Sequence, residues 1–276
     1  EAQGPPPKTD AEAQAAILPL VIQPVTAEQG ERLQVLPAPE PTRDVDVVNV
    51  IDNRTIINIG TQIIISSPDT PRLVEDDDEV IIERLPRGRT RETIVRENGV
   101  QVITVRNRYG DIIQRSRILP DGREVILAYS PEYDTEEIYE WRDPGLDLPP
   151  LQLNVPIRDY ILSVRYFEEQ PEEFDEEEVY YDFLEKPPVE RVERTYSVNE
   201  VKRSARVRDK VRRIDLDTIT FGFGTADIKE DQIEKLESVA NAMLKLLEKN
   251  PGETFLIEGH TDAVGTDQAN LVLSDK

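Results

Sequence analysis

The sequence predicts an elongated α+β protein: a Pro-rich linker, then a β-rich region of hairpins and meanders, then a partial βαβ domain. Three observations carry that expectation. β-Branched runs separated by turn residues fill much of 44–130, as in VDVVNVIDNRTIINIGTQIIIS, and Val, Ile and Thr fit a pleated surface. One long apolar stripe of helical period runs from Ile233 to Leu247, between two strand-like runs. The 276 residues include 21 prolines, with 32% charged and 38% hydrophobic residues, too little apolar material for one large core.

The elements follow in order. Residues 1–43, rich in Ala, Gln, Glu and Pro, read as a linker without fixed structure, because ordering it would not be offset by burial. Its apolar run (Ile17, Leu18, Leu20, Val21 and Ile22) offers a docking peptide as the alternative. Residues 44–143 form the β-rich region. Asp52-Asn53 is a turn candidate, and TIINIGTQIII reads as a strand apolar on both faces, with a bulge at Gly60. Such a strand needs cover on each side or becomes an aggregation hazard.

Within that region RETIVRENGVQVITV (91–105) lies over QRSRILPDGREVILA (114–128) at an offset of 23. Asn98-Gly99 matches Asp121-Gly122, which predicts two hairpins with positive φ at both turn residues, joined by RNRYGD. Ten arginines (84, 87, 89, 91, 96, 106, 108, 115, 117 and 123) decorate the meander. They either protect exposed strands or dock on a carboxylate-rich surface, for which 167–182 is the candidate.

Residues 144–196 alternate acidic runs, prolines and short strands. In 197–213, Ser197 and Glu200 stand at capping-box spacing and predict a basic connector helix. In 214–276, IDLDTITFGFG reads as a strand. Asp227 and Glu230 take capping positions. Ile233, Leu236, Ala240, Met243, Leu244 and Leu247 share a helix face flanked by Val239 and Leu246. Asn250-Pro251-Gly252 ends the helix, and ETFLIEG returns as a second, parallel strand.

The net charge of −23 disfavours nucleic acid as a partner, since phosphate binding draws on basic groups. The charge is blocked: ten arginines against five acids over 84–130, four bases against nineteen acids over 131–190, nine bases against three acids over 191–213. Without cysteine and with His260 as the one histidine, thiolate chemistry, a His-based triad and a metal site with two histidines are excluded. No cofactor, no metal and no enzymatic activity are expected, and no run is long enough for a transmembrane span.

His260, Thr261 and Asp262 stand past the carboxyl end of the second strand, where ligands bind in such units. FGFGTADI, the amphipathic helix, NPGETFLIEGHTDAVG and NLVLSDK together resemble the OmpA-like peptidoglycan-binding domain of Gram-negative cell envelopes, over about the last 63 residues. The resemblance implies non-catalytic binding of the peptidoglycan stem peptide through diaminopimelate. It places the binding residues at Asp262, Asn270, Gly224, Thr225 and Thr261, and the protein in the periplasm or at the outer membrane. The family's arginine, which completes the clamp with the aspartate, would fall immediately after Lys276. This stretch therefore carries the carboxylate half and is expected to bind weakly by itself. The alternative is a self-assembling β-rich stalk or filament subunit, with 44–190 contacting further copies or an envelope partner.

Overall fold

The computed structural model describes residues 4–40, 46–52, 54–59, 62–134, 141–165, 175–262 and 264–276. Along the chain run α1 (Asp10–Ala13), β1 (Glu31–Leu33), β2 (Asp46–Ile51), β3 (Arg54–Ile59), β4 (Gln62–Ser66) and α2 (Thr70–Leu73). Then come β5 (Glu79–Arg84), β6 (Thr90–Val95), β7 (Gln101–Arg106), β8 (Ile112–Ile118) and β9 (Glu124–Tyr129). The remainder holds β10 (Ile161–Ser163), α3 (Glu176–Leu184), α4 (Val198–Arg203), α5 (Ala205–Arg208), β11 (Arg213–Asp215), α6 (Glu230–Lys249) and α7 (Asp267–Asp275). The class is mixed α+β. The chain divides into two compact units, each built from separate stretches.

One unit comprises Leu20–Asp143, Tyr196–Arg203 and Thr254–Lys276. Its main sheet is antiparallel in the order β1-β5-β6-β7-β8-β9. The two expected hairpins are β6–β7 and β8–β9, but their turns differ from the expected form. Gly99 and Gly122 have φ of 81° and 84°, whereas Asn98 and Asp121 are not at positive φ. Each turn closes with the glycine N–H donating three residues back, to Arg96 at 2.9 Å and to Leu119 at 2.8 Å. This is a three-residue loop with a glycine bulge, which demands positive φ at one position. The expected connection RNRYGD forms a third copy: Gly110, at φ 90°, donates to Asn107 at 3.1 Å.

The two faces of this sheet are covered differently. On one, Val25, Leu85, Ile103, Val105, Ile113 and Tyr133 form the apolar core. Val25 comes from the stretch expected as a linker, and β1 adds that stretch to the sheet edge against β5. Leu18, Leu20 and Val21, the apolar residues conspicuous in the sequence, stay exposed. Buried polar groups anchor the segment instead: the Val25 N–H donates to the Glu124 carboxylate at 3.2 Å, and Arg91 donates to the carbonyls of Val25 at 3.2 Å and Glu28 at 2.8 Å. On the other face α2 and its preceding residue bring Asp69 onto Arg115 at 2.9 Å, Arg106 at 3.6 Å and Lys202 of α4 at 3.1 Å, while Thr70 donates to Glu92 at 2.8 Å. Meander arginines pair with Glu28, Asp69, Asp78, Glu83 and Asp134; of the run 167–182 expected as their counterpart, 167–174 lie outside the described residues.

The smaller sheet is antiparallel, β2-β3-β4. The run TIINIGTQIII, expected as one strand, is two paired strands with Ile59 opposite Gln62; Gly60, where a bulge was expected, lies outside the described residues. Ile56 and Ile57, on opposite faces of the central strand, are both buried, as its two-sided apolar pattern required.

The second unit comprises Glu1–Pro19, Pro144–Thr195 and Ser204–Glu253. Leu162, Val164, Tyr180, Phe183, Val239 and Ala242 form its core, where α3 packs on α6. Helix α6 ends at Asn250 as expected, but three expectations fail here. The helix starts at Glu230 after Lys229, without a side-chain cap, and Asp227 accepts instead from Thr225 at 2.7 Å. Its buried positions are Gln232, Val239, Ala242 and Leu246; of the expected face Leu236 and Met243 pack partly buried against the same core, while Ile233 and Leu244 are more than half exposed. The apolar residues wrap wide enough for two faces, and α3 selects the flanking one. Finally, β11 pairs in parallel with β10, upstream in sequence. Residues 253–262 form no strand, since a strand exists only against a paired edge.

The basic stretch 197–213 is not one helix. Ser197 and Glu200 make the expected reciprocal capping box, at 3.1 and 2.9 Å. Ser204 then interrupts the helix and caps α5, accepting from Val207 at 3.3 Å. Nor is the stretch a solvated surface: Lys210 is 2% exposed, with its ammonium 3.0 Å from Glu193.

Candidate binding site

The Asp262 loop owes its position to α7. Asp275, near the end of that helix, accepts from Arg54 at 2.6 Å, Ser67 at 3.1 Å and Arg72 at 2.8 Å, and Gln268 accepts from Asn49 of β2 at 3.2 Å. Burial pushes the Asp275 carboxyl upward, but the hydrogen bonds from Arg72 and Arg54 outweigh it and hold the group below its ordinary range. Val272 is buried on the same helix. The approach to the loop then runs back along α7: a side chain at Gly259 would meet the Ser274 carbonyl at 2.5 Å, so only glycine lets the two backbones come this close.

Thr266 caps α7, accepting from Ala269 at 3.2 Å. The Asp262 Oδ1 accepts from the Val264 N–H at 2.9 Å, and the Asn270 amide donates to the Asp262 carbonyl at 3.2 Å. Gly265, at φ 110°, lies where a side chain would come within 3.3 Å of the Asn270 Oδ1. Asp262 and Asn270, expected together from the sequence, are thus in one loop-helix motif. The exposed Asp262 carboxylate makes no ion pair among the described residues. Thr261 beside it is half-buried. His260 is largely exposed, its Nε2 3.6 Å from Glu258.

Gly224 and Thr225 belong to the other compact unit. Gly224 takes φ 69°, the Thr225 N–H donates to Gly222 at 3.2 Å, and the Thr225 hydroxyl both accepts from the Asp227 N–H at 3.0 Å and donates to its carboxylate. They form a self-contained turn. No local pattern announces the Arg54, Ser67 and Arg72 cluster that seats α7, because its members stand between 203 and 221 positions from Asp275 along the chain.

The chemistry on offer at Asp262 is that of a solvated carboxylate, its loop held by the Asn270 amide on the Asp262 carbonyl, able to accept from an ammonium or guanidinium group. Among the described residues no three His, Asp or Glu side chains gather as metal ligands, and no helix is long and apolar enough to cross a membrane. No known family model, curated protein or solved structure matches the chain.

Proposed function

We infer that this chain is a non-catalytic cell-envelope protein that holds peptidoglycan through the diaminopimelate of its stem peptide, in the periplasm or at the outer membrane. The observation that carries the reading is the Asp262 carboxylate: exposed, without an ion pair among the described residues, and fixed by Val264 and Asn270. An ammonium group of the stem peptide is its complement, and the GHTD-x-x-G and N-x-x-LS spacing of the OmpA-like family points to that ligand. Thr261, next to Asp262 in the same loop, enters as a further contact position.

Co-sedimentation with purified sacculi tests it. The chain is expected to pellet weakly with sacculi, to be released by a soluble stem peptide containing diaminopimelate, and to lose retention in Asp262→Ala. Equal sedimentation of the parent and Asp262→Ala proteins would overturn the reading.

A second reading, assembly of copies into a β-rich stalk, is favoured by β2. That strand pairs only with β3 among the described residues, and Val47, Val48 and Val50 on it are exposed. An open strand edge with apolar side chains is a template for another chain.

A further inference from the structure

The Asp262 loop is held from outside its own stretch of sequence. Residues 254–262 form no strand, so no ladder of backbone hydrogen bonds fixes them. They lie instead along α7 at two points, where the Asn270 amide donates to the Asp262 carbonyl at 3.2 Å and where Gly259 passes the Ser274 carbonyl. The loop is placed only as well as the helix is.

What seats the helix comes from upstream, between Asn49 and Arg72. At the C-terminal end of α7 the Asp275 carboxylate accepts from the Arg54 Nε at 2.6 Å, from Ser67 at 3.1 Å and from Arg72 at 2.8 Å. Arg72 also donates to the Asp275 backbone carbonyl, at 2.5 Å. Two cations thus meet a carboxylate and one of the last helix carbonyls, at the end where the helix dipole favours positive charge. The Arg54–Asp275 pair is mostly enclosed, its side chains 15% and 13% exposed, so salt screens it little. Near the other end of the helix, Asn49 of β2 donates to Gln268 at 3.2 Å. All of these residues belong to one compact unit.

We propose that Arg54 and Arg72 are positioning residues of the Asp262 site, which hold α7, and through it Asn270 and the loop, in the arrangement that binds. Their role makes the β2–β4 sheet and α2 part of the binding apparatus. Affinity then follows the fraction of molecules in which the helix is seated, since an unseated helix leaves Asp262 unplaced. The proposal deepens the peptidoglycan reading and rests on it for the identity of the ligand alone.

Hydrogen exchange of the whole chain without ligand, paired with co-sedimentation on sacculi, tests the proposal. Arg54→Gln should speed exchange of the amides in 264–275 about tenfold or more, the scale of one lost hydrogen bond to a charged group. Exchange in β6–β8 should stay unchanged, which also verifies that the variant is folded. Arg54→Lys keeps the charge and should restore part of the protection. With both guanidiniums removed, in Arg54→Gln combined with Arg72→Gln, the unseated helix should predominate and retention on sacculi should fall as in Asp262→Ala. Arg123→Gln, which breaks an exposed pair with Asp121 in the β8–β9 turn, should behave as the parent in both measurements. The proposal falls if exchange rises evenly across the unit, if Arg54→Lys is no better protected than Arg54→Gln, or if the double variant pellets like the parent while Asp262→Ala does not. A parent chain that does not pellet overturns the peptidoglycan reading, and the exchange pattern, which needs no ligand, still decides the positioning role.

Discussion

Asp69 shows how a single residue can gather a sheet face around itself. It stands at the start of α2 and accepts from Lys202 and Arg115, with Arg106 3.6 Å away. Burial pushes its carboxyl upward, but the charge of Lys202, the Arg115 hydrogen bond and the Arg106 charge outweigh it and hold the group well below the usual carboxylate range. A carboxylate depressed in the folded state contributes stability that is present above its unfolded value, about 3.9, and is lost as pH falls through the folded value. Asp69→Asn leaves the partly buried Arg106 and Arg115 without the Asp69 carboxylate. The expected loss at neutral pH is about 3 kcal/mol, the scale for removing one partner of a buried pair. The gap between the urea midpoints of parent and variant, compared at several pH values, should begin to narrow as pH falls below about 4 and keep narrowing toward the folded value; a gap that stayed constant with pH would refute the assignment.

At the scale of elements, what was legible was local. Asn-Gly and Asp-Gly announced two hairpins, and Ser197 with Glu200 announced a helix start, because each signal acts over a few residues. The third turn, Asn107 to Gly110, was read as a connection because its glycine is preceded by Tyr109 rather than Asn or Asp. What was not legible depends on partners distant in sequence. The packing face of α6 was set by α3, and Gln232 is buried because it exchanges hydrogen bonds with Thr220. For the site, the pairing of Asp262 with Asn270 was legible as a motif, whereas the seating of α7 by Arg54 and Arg72 was not. The three turns also give a graded test. A side chain at Gly122 meets nothing within 4 Å, whereas one at Gly110 meets Pro39 at 3.1 and 3.3 Å. Gly122→Ala should therefore cost only the left-handed backbone term, about 1–2 kcal/mol, and Gly110→Ala that term plus displacement of Pro39. Thermal melts of the two variants should rank in that order, and equal losses would mean that Pro39 does not press on the turn.

At the scale of the whole molecule, the alternating charge blocks suggest contacts between copies, yet the described arginines of the meander largely meet acids of their own unit. Charge is thus a weak candidate for setting a register between molecules, and the remaining adhesive feature is the β2 edge with exposed Val47, Val48 and Val50. The two forces have opposite salt dependences. Copies carrying −23 each repel, and salt screens the repulsion, since the Debye length falls from about 10 Å at 0.1 M to about 3 Å at 1 M. Backbone pairing and apolar contact along β2 are not weakened by that screening. Sedimentation velocity is therefore expected to show more association at about 1 M than at about 0.1 M salt. Val50→Lys, which places a charge on the open edge, should return the protein to monomer in both conditions, because an edge lysine opposes strand addition. Dissociation on adding salt would instead assign assembly to the charge blocks, and a monomer under both conditions would remove the stalk reading and leave the ligand proposed for the Asp262 loop as the reading to test.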